Sequence, residues 1–161
     1  MILLPHIILG AVIGAKTQNL GFIIILGFLS HFIIDKIPHW DYSIKGIKDF
    51  RETRNFKKLV ITLIKIGIDG LIGLLIVFLA LWQKNMFDIS YLPFILLGIF
   101  VSILPDLVGI LSEIISNSFL DIFAKFHDLA HFKTKKEGEL TFLGISTQIA
   151  VVIFALVVFF L

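Results

Sequence analysis

His31 and Asp35 stand four residues apart in Leu29-Ser30-His31-Phe32-Ile33-Ile34-Asp35, within an otherwise apolar run. On a helix this spacing puts both side chains on one face. His39 comes four residues later, just past Pro38, and Asp41 follows it. A proline disfavours helix at the residue before it, so the helix is expected to end near Ile37. His39 and Asp41 can then fold back beneath the same face. His127 and His131 repeat the four-residue spacing, with Asp128 beside them. His6 lies near the start of the chain, Asp69 in the middle, and Asp106 directly after Pro105.

Imidazole nitrogens and carboxylate oxygens together suit Zn²⁺, with Mn²⁺ or Fe²⁺ as alternatives. The expected ligands are His6, His31, Asp35, His39, Asp69, Asp106, His127 and His131, enough for one or two divalent ions. Asp41 and Asp128 are the candidate non-ligating bases. Two ions about 3.5–4 Å apart can activate water and hold a phosphoryl or ester oxygen. Simpler roles stay open for several of these residues. Asp69 can pair with Lys65, four residues earlier on the same face. Asp106 can cap a helix restart after Pro105. His39 and Asp41 can be a polar exit from an apolar segment, and His6 can be structural.

The elements that position these groups are set by composition. Of 161 residues, 58% are hydrophobic and 16% charged, and 17 are Phe. Mean hydropathy is +1.01. A soluble chain of this length cannot bury so much apolar surface, and a disordered one would be polar. Lipid is the expected solvent for much of it. The net charge of +2 is too small to argue for nucleic acid. The absence of Cys excludes disulfides and thiolate metal sites. No basic n-region or small-residue cleavage site opens the sequence, so a cleaved signal peptide is not expected.

The expected fold is all-α, a small polytopic membrane bundle forming a single domain over 1–161. About five apolar segments are legible, at 2–15, 21–38, 59–82, 92–115 and 140–161. The first two are short and can form a tight hairpin turned at Thr17-Gln18-Asn19. Between segments, a basic loop or interfacial helix covers 39–58, and a His/Asp-containing loop covers 116–139. These two loops hold Lys45, Lys48, Arg51, Arg54, Lys57, Lys58, Lys125, Lys133, Lys135 and Lys136; the other two hold only Lys16 and Lys84. Basic loops stay cytoplasmic, which puts the N-terminus inside and the C-terminus outside. A helix rises about 1.5 Å per residue, so Asp69, about ten residues in from the basic loop, lies roughly 15 Å deep. Up-down threading brings the other His and Asp residues to that same cytoplasmic half. A charge at mid-membrane costs at least about 2.5–3.5 kcal/mol and normally has a partner, so a shared depth favours a shared site. Gly10 and Gly14, and Gly67, Gly70 and Gly73, form small-residue faces that permit close helix packing.

These same residues carry a resemblance. The segment Ser30-His31-Phe32-Ile33-Ile34-Asp35 resembles the SHxxxD motif of the YdjM-like family of inner-membrane, predicted metal-dependent hydrolases. His6 with Gly10 resembles its early HxxxG signature, and Leu104-Pro105-Asp106 its PD motif. His127-Asp128-Leu129-Ala130-His131 loosely echoes its HRGxTH element. In that pattern PD precedes SHxxxD, whereas here Pro105-Asp106 follows it and continues as Leu107-Val108-Gly109. His31 and Asp35 are also similar to the HxxxD pair of the all-helical zinc-dependent phospholipase C proteins. The resemblance implies an inner-membrane helical bundle and metal-dependent hydrolysis of a lipid phosphoester or ester. Lys36 and Lys65 are the cations expected to face a substrate phosphate. The second reading is a divalent-metal or proton transporter, which with so few spans would have to form a homo-oligomer. A third reading is a structural membrane protein whose metal serves only stability.

Overall fold

The computed structural model describes residues 1–132, 138 and 141–161. Lys133, Lys135 and Lys136 of the second basic loop, and Leu140 at the expected start of the last segment, lie outside the described residues. Among the described residues the chain is helical, with no strand. The helices are α1 (Leu3–Thr17), α2 (Leu20–Asp35), α3 (Lys45–Lys48), α4 (Phe50–Thr53), α5 (Phe56–Gln83), α6 (Leu92–Ile114), α7 (Ser118–Ala130) and α8 (Phe142–Phe160).

Three of these, α5, α6 and α8, are long and apolar enough to cross a membrane. At about 1.5 Å per residue, the 28 residues of α5 extend roughly 42 Å. Leu71, Leu75 and Leu79 on its surface are each more than half exposed, as a lipid-facing helix requires. Of the about five expected segments, three correspond to helices of spanning length and the first two to shorter apolar helices. Helices α1 and α2 have 15 and 16 residues, short of the roughly 20 that a span needs. They form the tight hairpin. Gln18 takes a left-handed conformation (φ 46°) that closes α1, and the Asn19 side chain accepts the Phe22 N–H to start α2.

Helix α1 is the enclosed centre. Ile7, Ile8, Ala11, Val12 and Ala15 are buried along it, and it packs on α2, α5, α6 and α8. Its crossing with α6 is backbone to backbone. A Cβ built on Gly10 would lie 2.5 Å from the Gly98 carbonyl oxygen, and one on Gly98 would collide with the Gly10 carbonyl. The expected small-residue face at Gly10 and Gly14 is therefore a contact surface, since Gly14 meets Phe94 in the same way. Of the second glycine set, Gly73 touches Leu4 and Ile7, while Gly67 faces open space.

Both connecting segments contain helix, an alternative the sequence offered for 39–58 but not for 116–139. The 39–58 segment contains α3, α4 and the first turn of α5. Arg51 reaches from it to the carbonyl oxygens of Ser112 and Ile115, at the end of α6, and to Asp121 of α7 at 3.2 Å. One guanidinium thus closes α6 and fastens α7 to it. The 116–139 segment contains α7, started by the Asn117 side chain accepting from Phe119 and Leu120 N–H. The segment after Pro38 is tied to α8, where the Thr147 hydroxyl donates to Pro38 O and the Gln148 amide to Trp40 O.

The α1–α6 contact yields a direct expectation. Gly98→Val places side-chain carbon against backbone that cannot move aside. Overpacking typically costs about 1–3 kcal/mol. The variant should melt at lower temperature in detergent, as followed by circular dichroism, whereas Gly67→Ala should not.

Candidate metal centre

Asp35 ends α2, and its carboxylate is 1% exposed. Rings gather around it from three directions. From α1, His6 Nε2 lies 3.1 Å from Oδ1. From its own helix, His31 Nε2 lies 3.1 Å from Oδ2 at the i,i+4 spacing. From α7 and its end, His127 Nε2 and His131 Nε2 lie 3.6 and 3.7 Å from Oδ2. Asp106 of α6 closes the group, with Oδ1 3.5 Å from His127 Nε2 and 3.9 Å from His31 Nε2.

The protons on these rings follow from their backbone partners. A carbonyl oxygen only accepts, so a ring nitrogen facing one must carry a hydrogen. His31 Nδ1 faces Ser102 O at 2.9 Å, His39 Nδ1 faces Ile37 O at 2.7 Å, and His131 Nδ1 faces Phe132 O at 3.0 Å. In their neutral forms all three therefore present a bare Nε2 lone pair to the carboxylates. Orientation of this kind by the second ring nitrogen is how metal-binding histidines are held. It also explains why Asp35 Oδ2 is buried without a hydrogen bond despite His31 nearby. Asp106 Oδ2 is likewise buried and unpartnered.

Two sets of ligand atoms result. His31, Asp35, Asp106 and His127 bring one atom each within 4.8 Å of all the others, as do Asp35, His39 and His131. Both sets could hold a metal ion. Ligands about 2.1 Å from a tetrahedral ion would be about 3.4 Å apart. The separations of the two Nε2 atoms from one another and from the two carboxylates, including 3.0 Å between His31 Nε2 and His127 Nε2, run from 3.0 to 3.9 Å. The donors are therefore gathered at the scale of a coordination sphere.

The second set contains a cation of its own. The Met1 ammonium lies 2.5 Å from Asp35 Oδ1, 3.5 Å from Asp41 Oδ1 and 3.1 Å from His131 Nε2, to which it donates. Burial disfavours that charge, but Asp35, Asp41 and Asp106 outweigh burial and raise its affinity for the proton. Burial also disfavours a charged His131, and the adjacent ammonium adds to this, lowering its proton affinity. His127 goes the other way, because the nearby carboxylates of Asp35 and Asp106 overcome burial.

The expected site residues divide accordingly. His31, Asp35, His39, Asp106, His127 and His131 fall in the two sets. His6 stacks on His31 with ring centroids 4.3 Å apart and touches Asp35, beside the sets. Asp69 is in neither. Its Oδ2 accepts the Leu4 N–H at 3.2 Å and so serves the start of α1. Lys65, its suggested partner, is exposed. Asp41 Oδ2 lies 3.0 Å from His39 Nε2 and 3.4 Å from His131 Nε2. Burial alone would raise its carboxyl, but His39 and the Met1 ammonium prevail and hold it below the ordinary range. Asp128 is exposed on α7.

A cavity of about 400 Å³ opens beside the cluster. Asp41, Asp106, Glu113, His127, Asp128 and His131 are among its polar lining, and Ile44, Ile66, Ile110 and Phe132 are among its apolar walls. Lys48 lines it, while the expected phosphate-facing cations Lys36 and Lys65 do not. Sequence reasoning did not find Lys48, the Met1 ammonium or the carbonyl of Ser102. Only Ser102 carried a signal, as a polar residue one helical turn before Asp106. No protein-family model, curated protein or solved structure matches the chain.

The division of the carboxylates can be tested by metal analysis of purified variants. Asp35→Asn should strip bound metal. Asp69→Ala should retain it, while losing about 1–3 kcal/mol of stability from the unpaired Leu4 N–H.

Proposed function

We propose that this protein is a metal-dependent membrane hydrolase acting on a lipid phosphoester or ester at the cytoplasmic leaflet of the plasma (inner) membrane. The observation that carries the reading is the set of bare Nε2 atoms held against buried carboxylates beside an open cavity. Neutral imidazole with carboxylate favours Zn²⁺, with Mn²⁺ or Fe²⁺ acceptable to the same donors. His31, Asp35, Asp106 and His127 would hold the first ion, and Asp35, His39 and His131 the second where two are bound. An ion held there would supply Lewis-acid activation of water and of a phosphoryl or carbonyl oxygen.

The chain's own groups supply the rest. Asp41 or Asp128, both on the cavity wall, takes a proton from water at the polar lining. Asp128 is the more accessible of the two, and Asp41 is oriented by His39. The wall of Ile44, Ile66, Ile110 and Phe132 binds the apolar part of the substrate and excludes water, which strengthens every charge interaction at the polar lining. Lys48 sets a positive charge on the wall where a phosphate would enter. The resemblance to the YdjM-like family points to the same class of chemistry and to the inner membrane.

Purified protein should contain stoichiometric transition metal and hydrolyse members of a panel of phospholipids and lipid esters. Chelation should abolish turnover, and His31→Ala and Asp106→Asn should each lower it more than about a hundredfold. Bound metal with no turnover on any lipid would overturn the hydrolase. Gradient-driven metal or proton flux into proteoliposomes, lost in both variants, would establish transport instead. Melting upon chelation without flux or turnover would leave a structural metal.

A further inference from the structure

The geometry points to α7 as an in-plane membrane helix, seated with its apolar stripe in the acyl region of one leaflet. Three observations carry this. Helix α7 has three faces. At about 100° per residue, Phe119, Ile122, Phe126 and Leu129 fall within an arc of roughly 80°. All four are 55–76% exposed. Asp121, Lys125 and Asp128 form a separate polar arc. His127, Leu120 and Ala124 form the third, which carries the buried His127 into the metal centre. A helix with one side to protein, one to water and one apolar side uncovered fits the lipid–water boundary.

The second observation is position. Helix α6 is long enough to cross a membrane, and only residues 115–117 separate its end from α7. Arg51, bonded to both, pins α7 at that end. The third is continuity. Phe28 and Phe32 of α2 contact Phe123 and Phe126 of α7, with centroids 6.5 and 5.4 Å apart. The stripe therefore extends the exposed apolar surface of α2, formed by Ile25, Leu29 and Ile33. The cavity, walled by Ala124, His127 and Asp128 of the same helix, then opens at the boundary where an amphiphile can enter sideways from the leaflet. This placement does not depend on whether the site is hydrolytic.

The chain has no Cys, so single cysteines can report depth cleanly. Phe119, Ile122, Phe126, Leu129, Lys125 and Asp128 would each be replaced by Cys and labelled with an environment-sensitive fluorophore. The full-length protein would be reconstituted in phosphatidylcholine–phosphatidylglycerol vesicles, with circular dichroism confirming the fold. The four stripe positions should be quenched several-fold more by brominated lipid than by aqueous iodide, and Lys125 and Asp128 the reverse. Equal access of iodide to all six positions would overturn the proposal. So would protection of the stripe from both quenchers with crosslinking between chains, which would mean that a second copy covers it.

Discussion

The structure depends on one buried carboxylate. Asp35 is almost wholly enclosed, and an ionised carboxylate in such a place is several kcal/mol too costly without compensation. Groups from elsewhere in the chain answer this cost: His6 from α1, His127 from α7 and the ammonium of Met1. The requirement to compensate one charge thus draws the chain's beginning, its second helix and its seventh to a single point. The rings supply hydrogen bonds or lone pairs according to their protonation. Three of them are turned by backbone carbonyls so that the lone pair faces inward. That arrangement is poor for a carboxylate alone and good for a carboxylate with a cation.

The remaining architecture keeps this point in place. The α1–α6 crossing has no side chains between the backbones, so α6 is held at a fixed distance from α1 and sets the depth of Asp106 and the Ser102 carbonyl. Arg51 holds α7 to the end of α6 and thereby fixes where His127 enters. The ties from Thr147 and Gln148 fix the turn that carries His39. Long helices with lipid-facing apolar surfaces supply the frame, and the short hairpin of α1 and α2 supplies the chemistry.

Much of this was legible in particular residues. The i,i+4 spacing of His31 and Asp35 predicted a shared face, and they share one. The break at Pro38 predicted that His39 would return toward that face, and it does. Other residues shared the chemistry without sharing the contact. Asp69 has the same carboxylate as Asp106 and a similar expected depth. Yet the start of α1 lies against it, and a backbone N–H occupies the oxygen that a metal would need. Depth along a helix does not say which way its face is turned or which neighbour reaches it first. Within the 116–139 segment the charges of Asp121, Lys125 and Asp128 interrupt the apolar pattern, although on α7 they share one side of the helix.

The sequence by itself determined the solvent, the helical class and the small set of residues able to bind a cation. Those follow from composition and local spacing, which act within a few turns of one helix. Tertiary structure alone decided that six of the eight expected ligands fall in two compact sets. It also decided that Met1 and a backbone carbonyl take part. These depend on how α1 packs against α6, and on which chemical groups are left unpaired when it does. Such pairings join residues up to 130 positions apart, and no local spacing encodes them.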